Sequence, residues 1–144
     1  MNATDTIPIQ LGTSATTGSS YQNTLPLLNE IAHALRRLHL EGSKTTLDLG
    51  ALPFGPGDEK RLIEFLGRGE VSAKLEALGD SSIWESAYAG VWVIEHRSAG
   101  GERIAFQIEI AKLPGILEAQ PEDIKAGLTL LQESLDHLKA AESV

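Results

Sequence analysis

The fold of this chain is decided by the stretch GRGEVSAKLEALGDSSIWESAYAGVW, residues 67–92. Residues 70–77 alternate between polar and apolar side chains, which predicts a strand with one face in water. A longer β stretch follows over residues 82–97, and Ala89-Gly90 interrupts it. The interruption is either a two-residue turn or a bulge. We expect a bulge, because glycine often marks bulges and Ala-Gly is not a preferred hairpin pair.

The sheet continues on both sides of this stretch. Residues 103–112 alternate cleanly and place four apolar side chains on one face: Ile104, Phe106, Ile108 and Ile110. Upstream, residues 45–49 predict a short strand. An apolar sheet face needs cover, and the flanking segments have the periodicity of helices that could supply it.

Three helices are predicted. Residues 24–41 carry an apolar stripe at spacings of three and four, formed by Leu28, Ile31, Leu35 and Leu38. A second helix opens at Pro56, and Gly67 and Gly69 end it. The last helix starts at Gln120 and carries Ile124, Leu128, Leu131, Leu135 and Leu138. We therefore expect an α+β fold with two layers, a mainly antiparallel sheet and helices packed on one face.

Size and charge limit the organisation of the protein and its partners. With 144 residues, the chain has the length of one domain. We expect residues 1–20, which are rich in Thr, Ser and Gly, to be a flexible segment, and residues 21–144 to be a single domain. The net charge of −8 argues against nucleic acid and anionic membranes as partners. No signal or membrane-spanning pattern is visible, so we expect a cytoplasmic protein.

Few residues of this sequence could carry chemistry. It has no cysteine, which excludes a thiol nucleophile, thiolate metal sites and an ordinary iron–sulfur cluster held by this chain. None of the common nucleotide, hydrolase or metalloprotease motifs is present. A metal site would have to combine distant residues such as His33 and His137, and we expect neither metal nor cofactor.

Two groups of side chains remain as candidates. Glu85, Glu95 and His96 lie in one β region, but a solvated sheet face explains them better than acid–base catalysis does. Trp84, Tyr88 and Trp92 would form a protein-binding patch if they faced water, because aromatic residues are enriched at interfaces. Packing in the core is an equally good interpretation of the two tryptophans.

Several short motifs together resemble a known family. They are a Leu-Pro loop leading to Pro56-Gly57, Leu-Gly-x-Gly-Glu-Val at 66–71, Ile-x-Glu-Ser at 83–86, Gly-Val-Trp at 90–92, Ile-Glu-Ile at 108–110, Leu113-Pro114 and Pro-Glu-Asp-Ile at 121–124. In this order, over roughly residues 45–125, they resemble the C-terminal region of the HupH/HyaF hydrogenase expression/formation proteins. Familiar members of that family are about twice as long.

The resemblance implies a maturation factor for uptake [NiFe] hydrogenases that acts on the iron–sulfur small subunit. Together with the absence of cysteine and of catalytic or cofactor motifs, it favours a chaperone-like binding protein that is not an enzyme, whose partners are that subunit or other accessory proteins. Four residues of the matched motifs are the expected protein contacts, Glu70, Trp84, Glu85 and Trp92. Another four are expected to be structural, Gly67, Gly69, Gly90 and Pro114.

Other readings stay open at the level of sequence. An enzyme could use Glu70 or Glu85 as a general acid or base, and a metal-delivery protein could use histidines and carboxylates. The heptad-like stripes of the first and last helices would also permit a homodimer.

Overall fold

The computed structural model describes residues 23–77 and 79–143. The expected flexible segment 1–20 lies outside them. The helices are α1 (Leu25–Glu41), α2 (Asp58–Leu66) and α3 (Pro121–Glu142). The strands are β1 (Thr45–Asp48), β2 (Ser72–Glu76), β3 (Asp80–Glu85), β4 (Val91–Arg97) and β5 (Arg103–Ile110), and 3₁₀ turns lie at Leu49–Ala51 and Gly115–Leu117. The chain divides into two compact units, Met1–Lys112 and Leu113–Val144.

The five strands form one antiparallel sheet in the order β1-β5-β4-β3-β2. Trp84 of β3 pairs with Val93 of β4, and Val93 pairs with Ile108 of β5. Directly paired residues point to the same face, so these three side chains lie side by side. The antiparallel sheet and the α+β class expected from the sequence are confirmed.

Helices α1 and α2 cover this face of the sheet. Leu27, Ile31 and Ala34 of α1 are buried, as are Leu62 and Leu66 of α2. They share one hydrophobic cluster with side chains of the sheet face: Trp84, Val91, Val93, Phe106, Ile108 and Ile110. The buried line of α1 is therefore rotated from the predicted stripe. Leu28, Leu35 and Leu38 are only partly buried at its side.

The interruption after β3 is a turn, so the expected bulge was wrong. Strand β3 ends at Glu85, and β4 begins at Val91. Ser86 closes the turn in two ways. Its N–H donates to the carbonyl of Val91 at 2.8 Å, and its hydroxyl accepts the N–H of Tyr88 at 3.0 Å. Gly90 has φ +90°, a conformation that glycine adopts at little cost. The side chain of Ser86 supplies the turn signal that the pair Ala89-Gly90 lacks.

The second unit contains α3, the longest helix described. It begins at Pro121, with Glu122 and Asp123 in its first turn, where the helix dipole favours acidic groups. None of its residues is buried. Across the described part of the chain, no helix combines the length and the apolar character that a membrane crossing needs.

Candidate functional site

The Leu-Gly-x-Gly-Glu-Val motif joins the end of α2 to the turn after β3. Gly67 ends α2 with φ +64°, and its N–H donates to the carbonyl of Ile63 at 3.0 Å. The N–H of Gly69 donates to the carbonyl of Glu85 at 2.7 Å. A Cβ at Gly69 would lie 2.6 Å from the carbonyl oxygen of Ser86, closer than atoms pack. Gly69 therefore lets the backbone pass close to the end of β3, whereas Gly67 supplies the positive φ with which α2 ends.

Pro114 belongs to the second unit and is fully buried. Its carbonyl accepts the N–H of Leu117 at 3.0 Å, which closes the 3₁₀ turn Gly115–Leu117.

The two tryptophans lie on opposite faces of the sheet. Trp84 is buried in the cluster beneath the helices, and the guanidinium of Arg68 stands 4.2 Å from its ring centre. Trp92 is 3% exposed, and its Nε1–H donates to the carbonyl of Ala111 at 3.0 Å. Burial gives each ring a packing role in the folded chain. Their contact with a partner stays a prediction.

The two candidate glutamates have different environments. Glu70 is exposed just before β2. Glu85 is half-buried, and its Oε2 accepts the N–H of Gly90 at 3.1 Å. Glu85 lines a shallow cavity together with His39 and Lys112. Among the described residues, no three His, Asp or Glu side chains gather in a geometry that could hold a metal ion.

An apolar groove runs between α1, α2 and the turn after β3. Its volume is about 540 Å³. Its walls come from α1 (Leu25, Leu28, Asn29, Ile31, Ala32 and Leu35), from α2 (Phe65 and Leu66), and from Tyr88 and Val91. Asn29 and the hydroxyl of Tyr88 are the polar side-chain groups of this lining. The groove can therefore accept apolar side chains and offers little chemistry for making or breaking bonds.

Large apolar side chains at the groove face water. Leu25 is 57% exposed and Phe65 is 49% exposed. The rings of Phe65 and Tyr88 stack with their centres 6.1 Å apart, which joins α2 to the turn across the groove. Contiguous exposed apolar surface of this kind marks an interaction site more often than scattered exposed leucines do.

Asp58 fixes the two helical walls to each other. Its carboxylate accepts hydrogen bonds from the Asn23 side chain at 2.8 Å, the Gly55 N–H at 2.7 Å and Arg61 at 2.5 Å. These bonds, led by that of Asn23, lower the pKa of Asp58 below its usual value. Asn23 precedes α1 and Asp58 is the first residue of α2, so the network holds the starts of both helices together.

The groove was not predicted from the sequence. The apolar residues of α1 predicted a single stripe, whereas Leu25, Leu27 and Leu28 surround the first turn with more apolar surface than one contact with the sheet can bury. This excess of apolar residues in the first turn of α1 was the sequence signal that could have predicted the groove. One part of this apolar surface is buried on the sheet, and the rest lines the groove.

Proteins of similar sequence share one description. The model of the family described as HupH hydrogenase expression protein, C-terminal conserved region, matches residues 21–138. The hydrogenase expression/formation protein HoxQ of Azotobacter vinelandii is 30% identical over 120 residues, which cover 81% of this chain and 42% of that protein. The hydrogenase expression/formation protein HupQ of Azotobacter chroococcum mcd 1 is 28% identical over 128 residues, which cover 87% of this chain and 45% of that protein. The chain thus spans less than half the length of these two relatives.

A solved structure is similar over most of its own length. It is the hydrogenase expression protein HupH from Thiobacillus denitrificans ATCC 25259, with 39% sequence identity and a TM-score of 0.76. The similarity covers 83% of this chain and 97% of that one. The fold described above is therefore shared with a solved hydrogenase expression protein.

Proposed function

This chain belongs to the family of the C-terminal conserved region of the HupH hydrogenase expression protein, and from this we propose a role in hydrogenase maturation. In this role the protein binds a polypeptide of the hydrogenase during assembly. The proposed client is the iron–sulfur small subunit of an uptake [NiFe] hydrogenase. The proposed role is chaperone-like and not enzymatic, and the encounter takes place in the cytoplasm. Other hydrogenase accessory proteins are the alternative partners.

The apolar groove is the observation that carries this proposal. Its exposed side chains Leu25, Phe65 and Tyr88 leave apolar surface in water that a client could cover. Burial of such surface is the main favourable term in protein association. Grooves lined by one helix and a neighbouring element commonly receive an amphipathic segment of another protein.

The absence of cysteine limits which part of the small subunit this protein could bind. Without cysteine, it has no thiolate to bind an iron–sulfur cluster. The proposed client surface is therefore polypeptide, exposed while the small subunit is incomplete. Glu70 and Glu85 remain proposed polar contacts. Trp84 and Trp92 are buried, so we propose that they support the binding surface indirectly, by holding strands β3 and β4 in position.

Affinity capture tests the proposal directly. The tagged protein is co-expressed separately with the hydrogenase small subunit and with the large subunit. We expect the small subunit to be retained and the large subunit not to be. Capture of neither subunit nor of any co-expressed accessory protein contradicts the proposal.

A variant at the groove locates the binding. Ala32→Glu places a charge in the apolar lining without removing a buried side chain, and glutamate is a good helix former. Leu40→Glu is the matched control, because Leu40 is 68% exposed on the same helix and does not line the groove. We expect Ala32→Glu to abolish capture of the small subunit and Leu40→Glu to preserve it.

A further inference from the structure

A second cavity of different character adjoins the groove at Leu35 of α1. This cavity has a volume of about 470 Å³ and shares Leu35 with the first. It is lined further along α1 by Leu38 and His39, and from the sheet side by Glu85 and Lys112. The two linings together span the 15 residues of α1 from Leu25 to His39, an axial rise of about 21 Å.

The far end of this surface carries two basic side chains, Lys112 and Arg36, beside the imidazole of His39, in a chain whose net charge is −8. His39 and Lys112 line it, and Arg36 lies between Ala32 and His39 on the same side of α1, at helical spacings of four and three. Within the residues that the structure describes, none of these three side chains has a hydrogen bond or an ion pair. Glu85 is the carboxylate among the lining residues, and one of its oxygens is engaged by the N–H of Gly90.

We propose that the groove takes an amphipathic helix of the client that runs antiparallel to α1, with carboxylates in its first turn set against Arg36, His39 and Lys112. This inference rests on the proposed function and adds the chemistry and direction of the bound segment. The apolar stripe of the client helix occupies the end of the groove that is lined by Leu25 and Phe65. Four helical turns match the length of the surface.

The direction follows from the charges. Helices favour acidic side chains in their first turn, because the helix dipole places positive charge there. An acidic first turn at the cationic end puts the start of the bound helix next to the C-terminal end of α1, so the two helix dipoles oppose each other. The reverse direction would bring an acidic first turn against the apolar end at Leu25, where none of the described lining residues is a cation.

Binding of three designed peptides to the whole chain tests this inference. Each is an 18-residue helical peptide with the same leucine stripe. One has three glutamates in the first turn, one has them in the last turn, and one has glutamines in their place. Fluorescence anisotropy of the labelled peptides gives the Kd. We expect the first-turn peptide to bind about tenfold more tightly than the glutamine peptide, and the last-turn peptide to gain no such advantage.

Charge reversal on the protein provides the matched variants. Arg36→Glu combined with Lys112→Glu should remove the tenfold preference, whereas Lys60→Glu should leave it unchanged. Lys60 is a suitable control because its exposed side chain pairs with Glu64 on α2 and does not line the groove. Should the double variant fail to fold, the ranking of the three peptides on the unmodified chain still decides the question.

Three outcomes would overturn the inference. Equal Kd values for all three peptides reject the role of the cationic end. Binding of no peptide rejects a helical occupant. A dimer that Ala32→Glu dissociates makes a second copy the occupant. In each case the proposed function is judged separately, by whether the small subunit is still captured by the unmodified chain.

Discussion

The indole of Trp92 donates a hydrogen bond to the carbonyl oxygen of Ala111, 3.0 Å away and 19 residues later in the chain. The bond joins β4 to the residue that follows β5. On sequence grounds Trp92 was both a candidate contact residue and a candidate core residue, and the structure places its side chain inside the protein.

Trp92→Phe should cost more stability than Trp84→Phe. Both substitutions replace a buried indole by a smaller ring, but only Trp92 donates a hydrogen bond, since the Nε1 of Trp84 has no partner among the described residues. Losing the bond and leaving the Ala111 carbonyl unsatisfied should cost about 1–3 kcal/mol. Urea denaturation measures both variants. Unchanged stability of Trp92→Phe together with loss of small-subunit capture would instead make Trp92 a contact residue.

Gly69→Ala should destabilise the protein by about 1–3 kcal/mol, because the new methyl group would collide with the backbone carbonyl of Ser86. Gly127→Ala is the matched control. Nothing lies within 4 Å of a Cβ at Gly127, and alanine is favoured over glycine inside a helix by up to about 1 kcal/mol. The two variants should thus shift the thermal midpoint in opposite directions. A Gly69→Ala protein as stable as the parent would show that the close approach of residues 69 and 86 is not needed.

Asp58 should make stability depend on pH in the acid range. Its pKa is lowered by the hydrogen bond from Asn23, by the Gly55 N–H and by Arg61. A lowered carboxyl pKa adds stability above the unfolded value of about 3.9, and this stability is lost as the pH falls through the folded pKa. Asp58→Asn should therefore be less stable than the parent at pH 7, and the difference should shrink below about pH 4.

Urea midpoints measured between pH 7 and pH 2.5 check this prediction. Asp80→Asn serves as the control, because the exposed Asp80 makes only a loose ion pair with Lys74 at 3.8 Å. A difference between Asp58→Asn and the parent that stays constant down to pH 2.5 would mean that the charge of Asp58 does not hold the helix starts together.

The sheet was predictable from local alternation. In residues 103–112 the period of two fixes which side chains share a face, and Phe106, Ile108 and Ile110 are buried together as that pattern requires. Ile104, the fourth member of the set, is exposed near the start of β5. Periodicity assigns a face, but burial also depends on whether a helix reaches that end of the strand.

The groove was not predictable in the same way. Its two helical walls are linked by the hydrogen bond from Asn23 to Asp58, two residues that lie 35 positions apart in the sequence. It also depends on the turn of residues 86–90, where Ser86 bonds to its own backbone neighbours. Neither contact leaves a periodic signal in the sequence. His39, Glu85 and Lys112 line one cavity although they come from three separate parts of the chain. Their proximity depends on the tertiary fold and could not be predicted from local sequence patterns either.

Photo-cross-linking tests the central claim, that the apolar groove binds the hydrogenase small subunit. A photoreactive phenylalanine derivative is placed at Phe65, on the groove wall, and separately at Ile104, which is exposed on β5 and does not line the groove. Irradiation of each complex with the small subunit should give a cross-linked product from position 65 and none from position 104. A product from position 104 alone would contradict the account, because the client would then bind elsewhere on the protein.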